Sequence, residues 1–117
     1  MANFAVKNEF DNEVSVYFNI EADEVMAVGE KMEAINEQAY MNGYNWEAFL
    51  NHYLQVNQPD LLDGLDTDSE GGTYVGLYDK SETKKADKFV AIINDLISNP
   101  EKIYSFMNEN GDDIEWD

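Results

Sequence analysis

The chain has no cysteine, no arginine and one histidine in 117 residues. Without cysteine there can be no disulfide, no thiolate nucleophile and no Cys-based zinc site, a composition that suits a reducing cytoplasm. Without arginine the chain lacks the residue best built to grip phosphate or carboxylate through two parallel hydrogen bonds. No apolar run approaches the roughly 20 residues of a membrane-spanning helix. Residues 1–7 show no basic segment leading into an apolar stretch, so no signal peptide is expected and the expected location is cytoplasmic. Phosphate-cradling chemistry is missing too, because Glu70-Gly71-Gly72 is not followed by the lysine and helix start that such a loop needs.

What the chain has instead is acid. Twenty-five Asp and Glu stand against seven Lys, for a formal net charge of −18. Solubility of a small domain asks for only about 2–8 units of net charge, and the excess repels itself in the compact state. Its natural use is to draw in a basic partner and to keep nucleic acid and anionic membrane away. Four of the lysines, Lys80, Lys84, Lys85 and Lys88, fall close together, but Glu82 and Asp87 are interleaved with them. They are expected to form a solvated helix face, too weak for a nucleic-acid footprint on so acidic a chain.

Hydrophobic residues make up 44% of the chain and aromatics 13%. That supports a packed core and argues against disorder, and the length suits one domain over residues 1–117. Val14, Val16, Phe18 and Ile20 alternate with period two, as do Phe4 and Val6, with turn chemistry at residues 10–13. A β-hairpin over residues 3–20 follows. From 22 to 41 the apolar residues Val25, Val28, Met32, Ile35 and Ala39 recur at helical spacing, and Asn42-Gly43 is a plausible stop. A second helix over 45–57 carries Trp46, Phe49, Leu50, Tyr53 and Leu54 on one face. The two helices are expected to form an antiparallel pair.

Pro59 opens an acidic, turn-rich connection with room for a short strand near Leu65, followed by a clearer strand over 73–78. There Val75 and Leu77 point to the face opposite Tyr74 and Tyr78. A third helix over 81–98, with Ser81 as N-cap, buries Ala86, Phe89, Val90, Ile93, Leu96 and Ile97. Asn99-Pro100 starts a fourth, with Ile103, Tyr104 and Met107 inward and Gly111 at its end. The fold class expected is α+β: a small antiparallel sheet of three to four strands covered by about four helices.

Catalytic and metal chemistry find little support. Residues 66–71 imitate the opening of a calcium loop, but the position that should hold a bidentate glutamate is Leu77. His52, the lone histidine, sits at the edge of an apolar helix face with no recognisable nucleophile partner, and is expected to be structural. The chain is therefore expected not to be an enzyme and to need no cofactor or metal. Two acidic stretches free of lysine remain as candidate partner-binding residues: Asp60, Asp63, Asp66, Asp68 and Glu70 in the connection, and Asp112, Asp113 and Glu115, with Glu109 and Asp117, near the end. The first set is expected to weigh more, since the following strand holds it while the tail is free to move. Should the acids be bystanders, an exposed face bearing Tyr74 and Tyr78 is the next candidate. Trp46 is expected in the core, and Trp116 to pack back on the sheet.

The run Asn42-Gly43-Tyr44-Asn45-Trp46-Glu47-Ala48-Phe49-Leu50, continuing to Pro59-Asp60-Leu61-Leu62 and then residues 68–75, resembles the bacterial immunity-protein family numbered fifty-one of polymorphic toxin systems. The likeness covers about the central third of the chain. It implies protection of the producing cell by binding a toxin domain, with no set of contact residues to carry over. Gly43, Tyr44 and Trp46 match the motif, and turn and core roles are expected for them. The leading expectation is a free monomer that neutralises a cognate toxin, occluding a cationic, nuclease-like site. The alternatives are an acidic nucleic-acid mimic directed at a DNA-binding protein, and a small-ligand domain.

Overall fold

A computed structural model describes residues 4–117. Two strands, β1 (Ala5–Glu9) and β2 (Glu13–Asn19), form the expected hairpin, in which Ala5 faces Phe18 and Glu9 faces Val14. After β2 come α1 (Asp23–Ile35) and α2 (Gly43–Asn57), then the two-residue β3 (Asp66–Thr67), β4 (Thr73–Asp79), α3 (Thr83–Ser98) and α4 (Glu101–Asn110). The four strands are antiparallel, in the order β1-β2-β4-β3. The fold is α+β, as the periodicities imply.

Register decides which face of the sheet is core. Val14, Val16 and Phe18 lie opposite Tyr78, Gly76 and Tyr74, and all six residues are buried. Helix residues complete the layer: Trp46 meets Phe18 edge-on at 5.1 Å, and Phe89 of α3 meets Tyr74 at 5.8 Å. Such edge-to-face pairs add to burial because the positive ring edge meets the negative ring face. The opposite face carries Tyr17, Val75 and Leu77, which are half-buried or exposed. The expectation of an exposed face bearing Tyr74 and Tyr78 is thus overturned. The alternation was right, but the helices cover the tyrosine side. In β1 the inward residue is Ala5, not Val6, which is exposed.

The outer edge of β1 is closed by a side chain that periodicity did not single out. Asn94 is buried on α3. Its Oδ1 accepts the Phe4 and Ala5 N–H groups at 2.7 and 2.8 Å, and its Nδ2 donates to the Ala5 carbonyl at 3.1 Å. The amide satisfies both backbone groups of Ala5 as a neighbouring strand would, and blunts an edge that would otherwise invite another chain. Lys7 adds cover by pairing with Asp87 at 2.7 Å.

Several boundaries differ from expectation for local reasons. α1 stops at Ile35 because Asn36 turns the chain: its side-chain oxygen accepts the Gln38 N–H at 3.0 Å, competing with the helix ladder. Ala39 is buried, but outside any helix, and α1 packs on α4 rather than pairing closely with α2. Asn42 does not end α1; it caps α2, its Oδ1 accepting the Asn45 N–H at 2.8 Å. Ser81 does not cap α3. It lies in a 3-10 turn (Lys80–Glu82) capped by Asp79, whose carboxylate accepts both the Ser81 N–H and hydroxyl and is held below its usual pKa by them. α4 begins at Glu101, one residue beyond the proline expected to open it.

Tyr74 and Tyr78 give the fold an alkaline limit. Burial pushes both phenols above the ordinary tyrosine pKa. The charges of Glu82 and Asp60 add to the effect at Tyr78, and Tyr78 and Glu47 do so at Tyr74. The Tyr78 hydroxyl also donates to the Leu61 carbonyl at 2.5 Å, fastening the 3-10 turn Pro59–Leu61 to the sheet. Because the folded pKa lies above the unfolded one, the stabilisation is complete below about pH 10 and is lost as pH rises beyond it. In an ultraviolet titration, two of the seven tyrosines should ionise only as the chain unfolds. Smooth ionisation of all seven in a chain still folded by circular dichroism would contradict this.

Candidate partner-binding groove

A groove of about 710 Å³ lies between the exposed side of α2 and the C-terminal tail. Tyr44, Glu47, Asn51, His52 and Gln55 of α2 form one wall; Asp113, Glu115, Trp116 and Asp117 form the other. Residues one helical turn apart share a face, so the same α2 that buries Trp46, Phe49, Leu50 and Leu54 presents Tyr44, Glu47, Asn51 and His52 outward.

The tail is docked rather than loose. Ile114 is buried, the Trp116 indole N–H donates to the Gly111 carbonyl at 3.0 Å, and the Asp117 N–H donates to Asn45 Oδ1 at 2.6 Å. Trp116 does pack back, against the end of α4 rather than the sheet. Asn45 is therefore a hub: its Nδ2 also donates to the Tyr40 carbonyl at 2.8 Å. The acidic turn before β4 is tied to the same helix end, since the Gly43 N–H donates to the Gly71 carbonyl at 2.9 Å. Two acidic segments far apart in sequence thus converge on the first turn of α2.

Not every candidate acid shares that place. Asp113 and Glu115 line the groove, whereas Asp112 turns away to Asn36, 3.4 Å distant. Asp60 lies in the 3-10 turn beyond the far end of α2, and the Asp63 carbonyl accepts from Lys85 at 2.9 Å. Asp66 opens β3 opposite Leu77, Asp68 bonds through its backbone to Val75, and Glu70 bridges to Thr73 near Gly43. Of the connection set, Asp66, Asp68 and Glu70 are thus strung along the β3–β4 hairpin, with Glu70 at its α2 end, while Asp60 and Asp63 precede it.

Among the described residues the ion pairs are Lys7–Asp87, Lys80–Glu9, Lys85–Glu82 and Lys102–Asp95, and none involves a groove residue or a member of either set. The cause is plain in the sequence: residues 32–79 and 103–117 contain no lysine. His52 is half-buried with its ring 5.8 Å from that of Phe106, as an edge-of-core residue should be. Among the described residues no group of three or more His, Asp or Glu could hold a metal ion, and no helix is long and apolar enough to cross a membrane.

Tyr44 and Glu47 are groove residues that the sequence does not single out for binding. Tyr44, expected in a turn or core role, is 45% exposed. Glu47 was one acid among many. Placing both at i and i+3 on the face of α2 away from Trp46 and Phe49 would have found them.

A sheet covered by helices, carrying a groove walled by unpaired carboxylates, describes a small α+β protein suited to binding a cationic surface. The chain belongs to the Immunity protein 51 family, whose model matches residues 4–112. That range includes the α2 wall of the groove; residues 113–117 lie beyond it. No curated protein and no solved structure matches the chain. Membership makes the chain an immunity protein and implies a toxin as its partner.

Proposed function

We propose that this immunity protein neutralises a basic toxin domain by stoichiometric binding, with the α2–tail groove set over the toxin's cationic site. One observation carries the reading: Glu47, Asp113, Glu115 and Asp117 converge on one concavity, and among the described residues none of them is in an ion pair. Carboxylates so placed answer the lysines and arginines with which a nuclease holds phosphates. Complementary charge of this kind raises association toward about 10⁸–10⁹ M⁻¹s⁻¹ at low salt, an advantage where a toxin must be intercepted before it acts. The action is non-catalytic, takes place in the cytoplasm and needs no cofactor, with His52 a packing residue.

The test is the triple variant Glu47→Lys, Asp113→Lys, Glu115→Lys against the toxin domain encoded beside this chain's gene. Folding should survive, since exposed charges are worth about 0–1 kcal/mol each. Association should slow at least about tenfold at low salt, with a shallower salt dependence, because rim charges act chiefly on the encounter rate. A companion variant, Asp66→Lys, Asp68→Lys, Glu70→Lys, should show a smaller loss, as those residues lie outside the groove. Wild-type association by the folded groove variant would reject the groove as the docking site. Protection at sub-stoichiometric amounts would reject binding as the mechanism.

A further inference from the structure

Tyr40, Met41 and Trp46, neighbours in sequence of the groove residues Tyr44 and Glu47, line a smaller cleft. It measures about 250 Å³ and sits between α1 and the chain entering α2. Its floor is made by the buried side chains of Ile20, Val25 and Trp46. Its mouth mixes apolar with polar surface: Met26 is 52% and Tyr40 66% exposed, among the most exposed large hydrophobic residues described. Glu30 and Glu33 stand on the rim, and among the described residues neither is in an ion pair.

Tyr40 is exposed but not loose. Its carbonyl is held by Asn45, Ala39 before it is buried, and Met41 after it packs so closely on α1 that a Cβ on Gly29 would lie 3.0 Å from the Met41 Cβ. A backbone already held in place lowers the entropy lost when the side chain it carries is bound. Tyrosines are enriched among the residues that dominate interface energetics.

Resting on the binding reading above, we infer that this cleft receives one apolar side chain of the toxin, a Leu, Met or Phe flanked by lysine or arginine. The volume falls below the roughly 300–1,000 Å³ of small-molecule pockets and suits a single large side chain. Met26 and Met41, flexible and polarisable, can mould to its shape. Glu30 and Glu33 supply the charge that selects flanking cations. The cleft and the groove share the 40–47 segment, so one toxin surface spans both: the groove sets how fast it arrives and the cleft how long it stays.

The test measures association and dissociation rates with the inactivated toxin domain encoded beside this chain's gene, at low and high salt. Met26→Ser with Tyr40→Ala removes the cleft mouth. Both side chains are exposed, so melting should stay close to wild type. Dissociation should quicken by at least about tenfold at both salt concentrations, the scale of losing a hot-spot contact, while association changes little. Met26→Leu alone, which keeps an apolar side chain at the mouth, should keep most of the residence time, while Met26→Ser alone, equally stable, should shorten it. Unchanged dissociation in the folded double variant overturns the cleft inference alone, provided the groove variant still slows association. Failure of the wild-type protein to bind this domain overturns both readings.

Discussion

Trp46→Ala is expected to cost about 3–5 kcal/mol of folding stability, the range for removing a fully buried large aromatic. The indole lies between Phe18 of the sheet and Phe49 of its own helix, with ring centroids at 5.1 and 5.8 Å and both contacts edge-on. It is therefore the side chain through which α2 grips β2. Phe49 in turn meets Phe106 of α4 at 5.7 Å, so the loss propagates along a chain of aromatic contacts rather than staying local. Against a total stability of about 5–15 kcal/mol, such a loss leaves a small margin. Thermal unfolding followed by circular dichroism should show the melting temperature fall by more than about 10 °C. A shift of a degree or two would mean that the site collapses around the missing ring and that α2 is held by its other contacts.

Gly43→Ala is expected to destabilise the fold although it raises helix propensity. In an exposed helix interior the change would be worth about 0.8–1.0 kcal/mol in favour of alanine. Here the added Cβ would lie 1.7 Å from the Glu70 carbonyl oxygen and 2.5 Å from that of Thr73. Both obstacles are backbone, so no rotamer change relieves them, and overpacking costs of about 1–3 kcal/mol or more apply. The φ of Gly43 is not positive; glycine is required for close approach and not for an unusual conformation. The relief available is to push the 68–73 turn off α2, breaking the Gly43–Gly71 hydrogen bond. Urea denaturation should give a lower midpoint, and backbone amide shifts should move in both segments. A stabilised alanine variant would show that the turn and the helix are not pressed together.

The Gly-Tyr-Asn-Trp run illustrates how much was legible in the chain and where legibility stopped. Trp46 is core and Gly43 is structural, as their residue types suggested. Tyr44 between them lies on the groove. Helix spacing from Trp46 alone would have turned Tyr44 outward, but nothing local said that an acidic tail would come to lie opposite it. Likewise Asn42 was legible as a helix-terminal residue and ambiguous as to which helix it bounded, because asparagine serves at both ends.

Composition and periodicity sufficed for the α+β class, the hairpin, the inward faces of α2 and α3 and the acidity of the surface. These depend on neighbours within a few residues, where spacing maps directly onto geometry. They could not tell which face of the sheet the helices would cover, and so whether Tyr74 and Tyr78 or Val75 and Leu77 would meet solvent. Nor could they show that Asn94 would close the edge of β1 from 89 residues away, or that Asn45 would tie down Asp117 across 72. Contacts of that span leave no periodic trace, since each needs only one polar side chain at the right place in space. The groove is made of such contacts: its charge was written along the chain, and its shape arose when the tail and the 68–72 turn were both fastened to the first turn of α2.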